Sequence, residues 1–179
     1  MNEDYEFDTN EFPLAYLITI RCYGTWLHGD KRGSFDRRFF NKYEMPCVAP
    51  NEKFENYQKS ELKYAPVKFE AEHRKITEQA IREVCLHRKY QLKAINVRTN
   101  HVHTVVFAAS KPEKIMNSFK AYSTRRLREK KLFSQEAIIW SRHGSTIYLW
   151  KEPDVQKAIE YVVNGQGEWR HFFDNIPMK

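Results

Sequence analysis

The chain has 179 residues and a mass of 21.5 kDa, with 41% hydrophobic and 30% charged residues. This length and composition exclude a disordered or fibrous chain, and they predict a single domain over residues 1–179. Lys and Arg number 30 against 23 Asp and Glu, a net charge of +7 that makes nucleic acid the first partner to consider.

The first predicted element is a buried strand over residues 14–21, a run of aliphatic, aromatic and β-branched side chains. Residues 23–66 are rich in Gly, Pro and polar residues and have no clean period. We expect them to form a long irregular insertion that is partly helical near 53–63. Apolar residues at helical spacing then predict a helix over 68–89.

A hairpin and a basic helix are predicted next. Residues 92–97 and 101–108 read as two antiparallel strands joined by a turn at 98–100. A helix over 111–131 follows, and Ser110 is its expected N-cap.

The last predicted elements are a strand over 147–150 and a helix that begins at Pro153 and ends before Gly165. The order is strand, insertion, helix, strand, strand, helix, strand, helix. It resembles the α+β ferredoxin-like (RRM-like) arrangement, an antiparallel sheet with helices packed mainly on one face.

The basic helix carries nearly all of the excess charge. Residues 111–131 contain eight basic and two acidic residues, whereas the rest of the chain has 22 and 21. We therefore predict that this helix binds nucleic-acid phosphates. The predicted contacts are Lys114, Lys120, Arg125, Arg126, Arg128 and Lys130.

Two histidines, His101 and His103, lie two residues apart on a predicted strand. Their side chains share one face with Cα atoms roughly 6.5 Å apart, so both rings can bind one divalent ion. The alternative is a pair of histidines that are hydrogen-bonded in the core or at the sheet rim.

Tyr122, halfway along the basic helix, is the expected nucleophile. Nearby cations lower a phenol pKa, and Tyr122 comes near the histidines if the helix covers their face of the sheet. Otherwise Tyr122 lies at the edge of the apolar face of the helix. Tyr148 and Tyr161 are rivals, on a strand and on a helix that both read as packed.

Several stretches together resemble the HUH single-tyrosine transposases, the small insertion-sequence enzymes and their REP-associated relatives. His101-Val102-His103 follows Asn100 and precedes the helix that carries Tyr122. The resemblance extends over residues 14–167. The other matching stretches are Ala15-Tyr16-Leu17-Ile18-Thr19, Tyr23-Gly24-Thr25-Trp26-Leu27-His28-Gly29-Asp30 and Ser141-Arg142-His143-Gly144-Ser145-Thr146.

The resemblance implies metal-dependent cleavage and rejoining of single-stranded or hairpin DNA by a homodimer with an RRM-like fold. Tyr122 would attack the scissile phosphate and form a 5′-phosphotyrosyl link. Mg²⁺ or Mn²⁺ on His101 and His103 would polarise that phosphate. The covalent link conserves the phosphodiester energy, which agrees with a sequence that has no nucleotide-binding motif.

One position departs from the family. A third metal ligand, often Gln or Asn, commonly follows the tyrosine by one helical turn, but here Arg126 occupies that place and cannot bind a metal. The departure keeps open a non-catalytic protein of the same fold that binds single-stranded or hairpin nucleic acid. The substitute ligands left open are His28, Asp30, Glu129 and His143.

Other classes have little support. A two-histidine phosphoesterase needs two H-x-[ST] motifs, and only His143-Gly144-Ser145 fits. Three widely spaced cysteines exclude a disulfide framework or a CxxC zinc site and suit a reducing cytoplasm. The acidic start of the chain does not read as a signal peptide, and no uncharged run reaches the about 20 residues of a membrane helix.

Overall fold

The structure is a computed structural model that describes residues 12–31 and 49–164. Strand β1 spans Ala15–Cys22 and is followed by helix α1, Glu52–Ser60, which agrees with the helical part expected near 53–63. Helix α2 spans Ala71–Arg88 and ends at Lys89, whose backbone is left-handed with φ 57°.

The second half of the described chain alternates strands and helices. Strands β2, Gln91–Val97, and β3, His101–Phe107, form the predicted antiparallel hairpin. Helix α3 spans Pro112–Glu129, strand β4 spans Trp140–Leu149, and helix α4 spans Glu152–Val163. Among the described residues, no helix combines the length and the apolar character that a membrane crossing requires.

The four strands form one antiparallel sheet in the order β2-β3-β1-β4. With α2 and α3 as its two crossover helices, this is the β-α-β-β-α-β arrangement of a ferredoxin-like fold. The predicted α+β fold is therefore confirmed. Helices α2 and α3 pack on one face of the sheet, and α4 packs on the other.

The sheet separates two apolar cores. Even-numbered residues of β3, such as Val102 and Val106, pack with α2 and α3, whereas Val105 packs with α4. Successive side chains of a strand point to opposite faces. His101 and His103 therefore lie on the α4 face of the sheet.

Two details of the prediction are wrong. Strand β4 begins at Trp140 rather than at residue 147, because its first half is a partly exposed edge segment without an apolar alternation. Ser110 does not cap α3. The N-cap residue is Lys111, and its side chain makes no capping hydrogen bond.

Gly144 lies where β4 passes close to both β1 and α3. A Cβ atom there would lie 2.5 Å from the carbonyl oxygen of Thr19 and 2.6 Å from Sδ of Met116. Met116 can move, but Thr19 cannot retreat without disturbing the sheet. We expect Gly144→Ala to lower the free energy of unfolding by about 1–3 kcal/mol in urea denaturation. Ser145→Ala is the control, and an equal loss in both variants would contradict the crowding argument.

Candidate active site

Strand β3 brings the two histidines together at its start. The ring centroids of His101 and His103 are 4.5 Å apart. His101 Nδ1 lies 2.7 Å from Oδ1 of Asn100, and His103 Nδ1 lies 2.8 Å from Oγ1 of Thr19. Because an amide oxygen only accepts, His101 donates from Nδ1, so in the neutral ring Nε2 carries the lone pair that a metal would bind.

His103 is held in its neutral form. The residue is buried, and this burial together with the charges of His101, Arg21 and Arg98 lowers its pKa to about 3. A neutral imidazole is the form that binds a metal ion.

The pair fits two positions of a divalent metal site, because both rings are neighbours and each is oriented by a hydrogen bond at its other nitrogen. Within residues 12–31 and 49–164, no three His, Cys, Asp or Glu side chains form a metal-binding group. The substitute third ligands suggested by the sequence do not complete one there. Glu129, for example, is in an ion pair with Arg126 at 3.0 Å.

Helix α4 adds a tyrosine to this face. Tyr161 is 4% exposed, and its hydroxyl lies 3.4 Å from His103 Nε2, with 5.3 Å between the ring centroids. Burial raises the pKa of Tyr161, while the charge of Arg98 opposes that rise. The described site therefore combines two histidines, a buried phenol and a nearby guanidinium.

Tyr122 lies on the opposite face of the sheet. Its ring packs against the core under α2 and α3, and the guanidinium of Arg125 lies 4.5 Å from its centroid. The expectation that Tyr122 comes near the histidines is wrong, because α3 crosses the face that carries Val102 and Val106. Tyr148 also lies on that face, 5.1 Å from Tyr16 between ring centroids.

Arg126 forms ion pairs with two acidic side chains, on α2 and on α3. Its guanidinium lies 2.7 Å from Glu83 and 3.0 Å from Glu129, and these hydrogen bonds raise the Arg126 pKa. The sequence suggested that Arg126 replaces a third metal ligand, because it follows Tyr122 by one helical turn. Since Tyr122 is remote from the histidines, the departure at Arg126 does not affect them.

The basic side chains of α3 divide into two groups. Lys120 donates to the backbone oxygens of Ser141, Arg142 and His143 at 2.8, 3.4 and 3.2 Å. Arg128 donates to the backbone oxygen of Ala137 at 3.2 Å, and Arg126 is ion-paired as described. Those three help to hold the fold together. The other three predicted phosphate contacts are exposed: Lys114, Arg125 and Lys130.

The segment after β1 contacts the hairpin turn that directly precedes the histidines. Gly24 and Gly29 have φ values of +70° and +93°, which only glycine adopts readily, and they turn the chain next to the hairpin. The hydroxyl of Thr25 lies 2.9 Å from the backbone oxygen of Cys22 and 3.2 Å from that of Asn100. Thr25 belongs to the stretch from Tyr23 to Asp30, one of those that resemble the transposases. Its contact with the backbone of Asn100 helps to hold the residue that orients His101.

Thr19, which orients His103, and three further residues of the site were not found from the sequence. Arg98 lies in the turn directly before Asn100, and Arg21 pairs with His101 across β1 and β3. Their basic character beside the histidine strand was the available signal. Asn96, which pairs with His103 across β2 and β3, had no signal of its own.

Residues 62–162 match the family described as "Transposase IS200 like". The chain belongs to the IS200-like transposase family. The resemblance inferred from the histidine motif is thereby confirmed.

A solved REP-associated tyrosine transposase bound to a REP hairpin is similar to this IS200-like transposase chain, with 11% identity and a TM-score of 0.48. The match covers 83% of this chain and 63% of that structure's chain, so this chain spans less than two thirds of that length. No curated protein matches the chain.

Proposed function

We propose that this chain cleaves and rejoins single-stranded or hairpin DNA through a 5′-phosphotyrosyl intermediate on Tyr161. The observation that carries the proposal is the 3.4 Å approach of the Tyr161 hydroxyl to His103, on the face that His101 shares. A phenol beside two oriented imidazoles suits metal-assisted attack on a phosphate. The proposed nucleophile is therefore on α4 and not on α3.

The proposed step exchanges one ester for another. The Tyr161 oxygen attacks the scissile phosphorus, the bond from phosphorus to the 3′ oxygen breaks, and a 5′-phosphotyrosyl ester forms. The phenol loses its proton and the leaving 3′ oxygen gains one. Attack by a 3′-hydroxyl on the phosphotyrosine rejoins the strand, and no ATP is consumed.

His101 and His103 would hold Mg²⁺ or Mn²⁺, which when bound supplies positive charge to the phosphate. Asn100 and Thr19 keep the two rings oriented. Arg98 is exposed, and its charge acts on both His103 and Tyr161, which favours an anionic phosphate at this site.

Lys114, one of the exposed cations of α3, lies beside an open groove of about 520 Å³. Arg88, Lys111 and Lys114 line this groove together with Tyr122 and one acidic residue, Glu113. Cations interleaved with an aromatic ring favour phosphates and bases of nucleic acid. We propose that α3 contacts DNA phosphates on the sheet face opposite to the histidines.

Charge reversal tests this DNA surface. Lys114→Glu with Arg125→Glu should weaken binding of all single-stranded sequences and flatten the log–log salt dependence by about 1.4, because each phosphate contact adds roughly 0.7 to the slope. Fluorescence anisotropy over a salt series measures both. The matched control reverses Lys53 and Lys75, which are exposed on α1 and α2. Equal losses in both double variants would contradict a specific role of α3.

The second candidate is a non-catalytic DNA-binding protein of the same fold. The lack of a three-residue His, Cys, Asp or Glu group in the described ranges favours it. Incubation with labelled hairpin and single-stranded DNA plus Mn²⁺, followed by a denaturing gel, separates the two. A covalent adduct supports cleavage, and binding without any adduct supports the alternative. The homodimer stays a prediction, and the mass measured by light scattering would test it.

A further inference from the structure

Asn96 links the strand next to the histidines to the helix that carries the tyrosine. It pairs with His103 across β2 and β3 and shares its face of the sheet. The side-chain Nδ2 of Asn96 donates to the backbone oxygen of Val162 at 2.9 Å. Val162 directly follows Tyr161 in the last turn of α4.

The last turn of a helix has carbonyl groups without partners inside the helix. In α4 the backbone N–H of Asn164 serves the carbonyls of Glu160 and Tyr161. The Val162 carbonyl comes next along the chain, and it receives its hydrogen bond from Asn96 of the sheet. This bond therefore joins the end of α4 to the strand beside His103.

The apolar contacts of α4 with the sheet define its position less closely. Val155, Ala158 and Val162 are buried in the apolar core on this face, and apolar burial is not directional. The contact of Tyr161 with His103 is 3.4 Å long, at the weak end of hydrogen bonding. The Asn96 bond, in contrast, is short and directional, and it joins the last turn of α4 to β2.

We propose that Asn96 is a positioning residue that holds the Tyr161 hydroxyl beside His103. The inference rests on the proposed function, since it matters for reaction only if Tyr161 is the nucleophile. A displacement of about 1 Å in a reacting group costs on the order of 10²-fold in rate. We expect loss of the Asn96 donor to slow adduct formation about 10- to 100-fold at saturating DNA, with the DNA dissociation constant unchanged.

The test places 3-fluorotyrosine at position 161 and records ¹⁹F NMR spectra of the full chain without DNA or metal. Asn96→Leu and Asn96→Asp both match asparagine in shape and lack the amide donor, and Asn96→Ala adds neither bulk nor charge. We expect all three to shift or broaden the single resonance of the parent. Asn117→Leu, the same change on the exposed side of α3, should leave it unchanged.

Parent-like spectra in the Leu and Ala variants would overturn the proposal, as would a change in the Asp variant alone, which would indicate charge rather than a lost donor. Unfolding of all three variants, measured by circular dichroism, would make Asn96 a structural residue and overturn it as well. Failure of the proposed function is distinguishable. A parent that forms no adduct refutes cleavage, while the fluorine spectra still decide the positioning.

Discussion

Tyr161→Phe is expected to abolish the covalent protein–DNA adduct, lowering its rate of formation by roughly 10³-fold or more, because the substitution removes the attacking oxygen. The phenylalanine ring keeps the packing of the buried tyrosine, and the lost contact to His103 is 3.4 Å long. The free energy of unfolding should therefore change by less than about 1 kcal/mol. Denaturing gels of labelled DNA and urea unfolding measure the two effects.

Tyr122→Phe is the matched control, because Tyr122 lies on the other face of the sheet. This variant should form the adduct at the rate of the parent under saturating DNA. The reverse pattern, with the adduct lost in Tyr122→Phe and kept in Tyr161→Phe, would return the nucleophile to α3.

His101→Ala and His103→Ala are expected to lower metal-dependent cleavage by about 10²- to 10⁴-fold, since either change removes half of the described ligand pair. EDTA should stop the parent enzyme to the same extent, and Mn²⁺ should restore it. Calorimetric titration of Mn²⁺ gives a readout that does not depend on DNA, and both variants should bind the ion more weakly.

His87→Ala is the control for the histidine variants, because His87 is exposed in the last turn of α2. Its metal binding and cleavage should equal those of the parent. Cleavage by the parent in EDTA, or an unchanged Mn²⁺ titration in His101→Ala, would contradict a metal role for the pair.

Much of the fold could be predicted because its elements have clear periods. The α2 helix shows apolar residues at helical spacing, and the hairpin shows two apolar runs around a polar turn. The early half of β4 could not be found, since Ser141, Arg142 and His143 lie on an edge strand where one side is exposed. Polar edge strands lack the alternation that identifies a half-buried strand.

The histidine pair could be predicted from the sequence, but the tyrosine that lies beside it could not. The sequence places His101 and His103 on one face, yet local spacing does not say which helix covers that face. Proximity in sequence favoured α3 and Tyr122, whereas α3 crosses the other side. Tyr161 is 58 residues from His103 and looks like an ordinary core residue beside Val162.

A signal for this arrangement was present in the two central strands. Both strands carry apolar residues at odd and at even positions, and six of eight residues of β1 and five of seven of β3 are buried. A strand that is apolar on both faces needs cover on both faces. This pattern predicts helices on both faces of the sheet. Helices α2 and α3 cover one face, and α4 covers the face that carries the histidines.

Mass spectrometry of the covalent adduct identifies which residue is the nucleophile. The parent protein is incubated with a hairpin DNA and Mn²⁺, the DNA is trimmed with nuclease, and the protein is digested for tandem fragmentation. We expect a nucleotide phosphate attached to Tyr161 through its phenolic oxygen. A phosphorylated nucleotide on Tyr122, on Tyr148 or on any other residue would contradict this assignment.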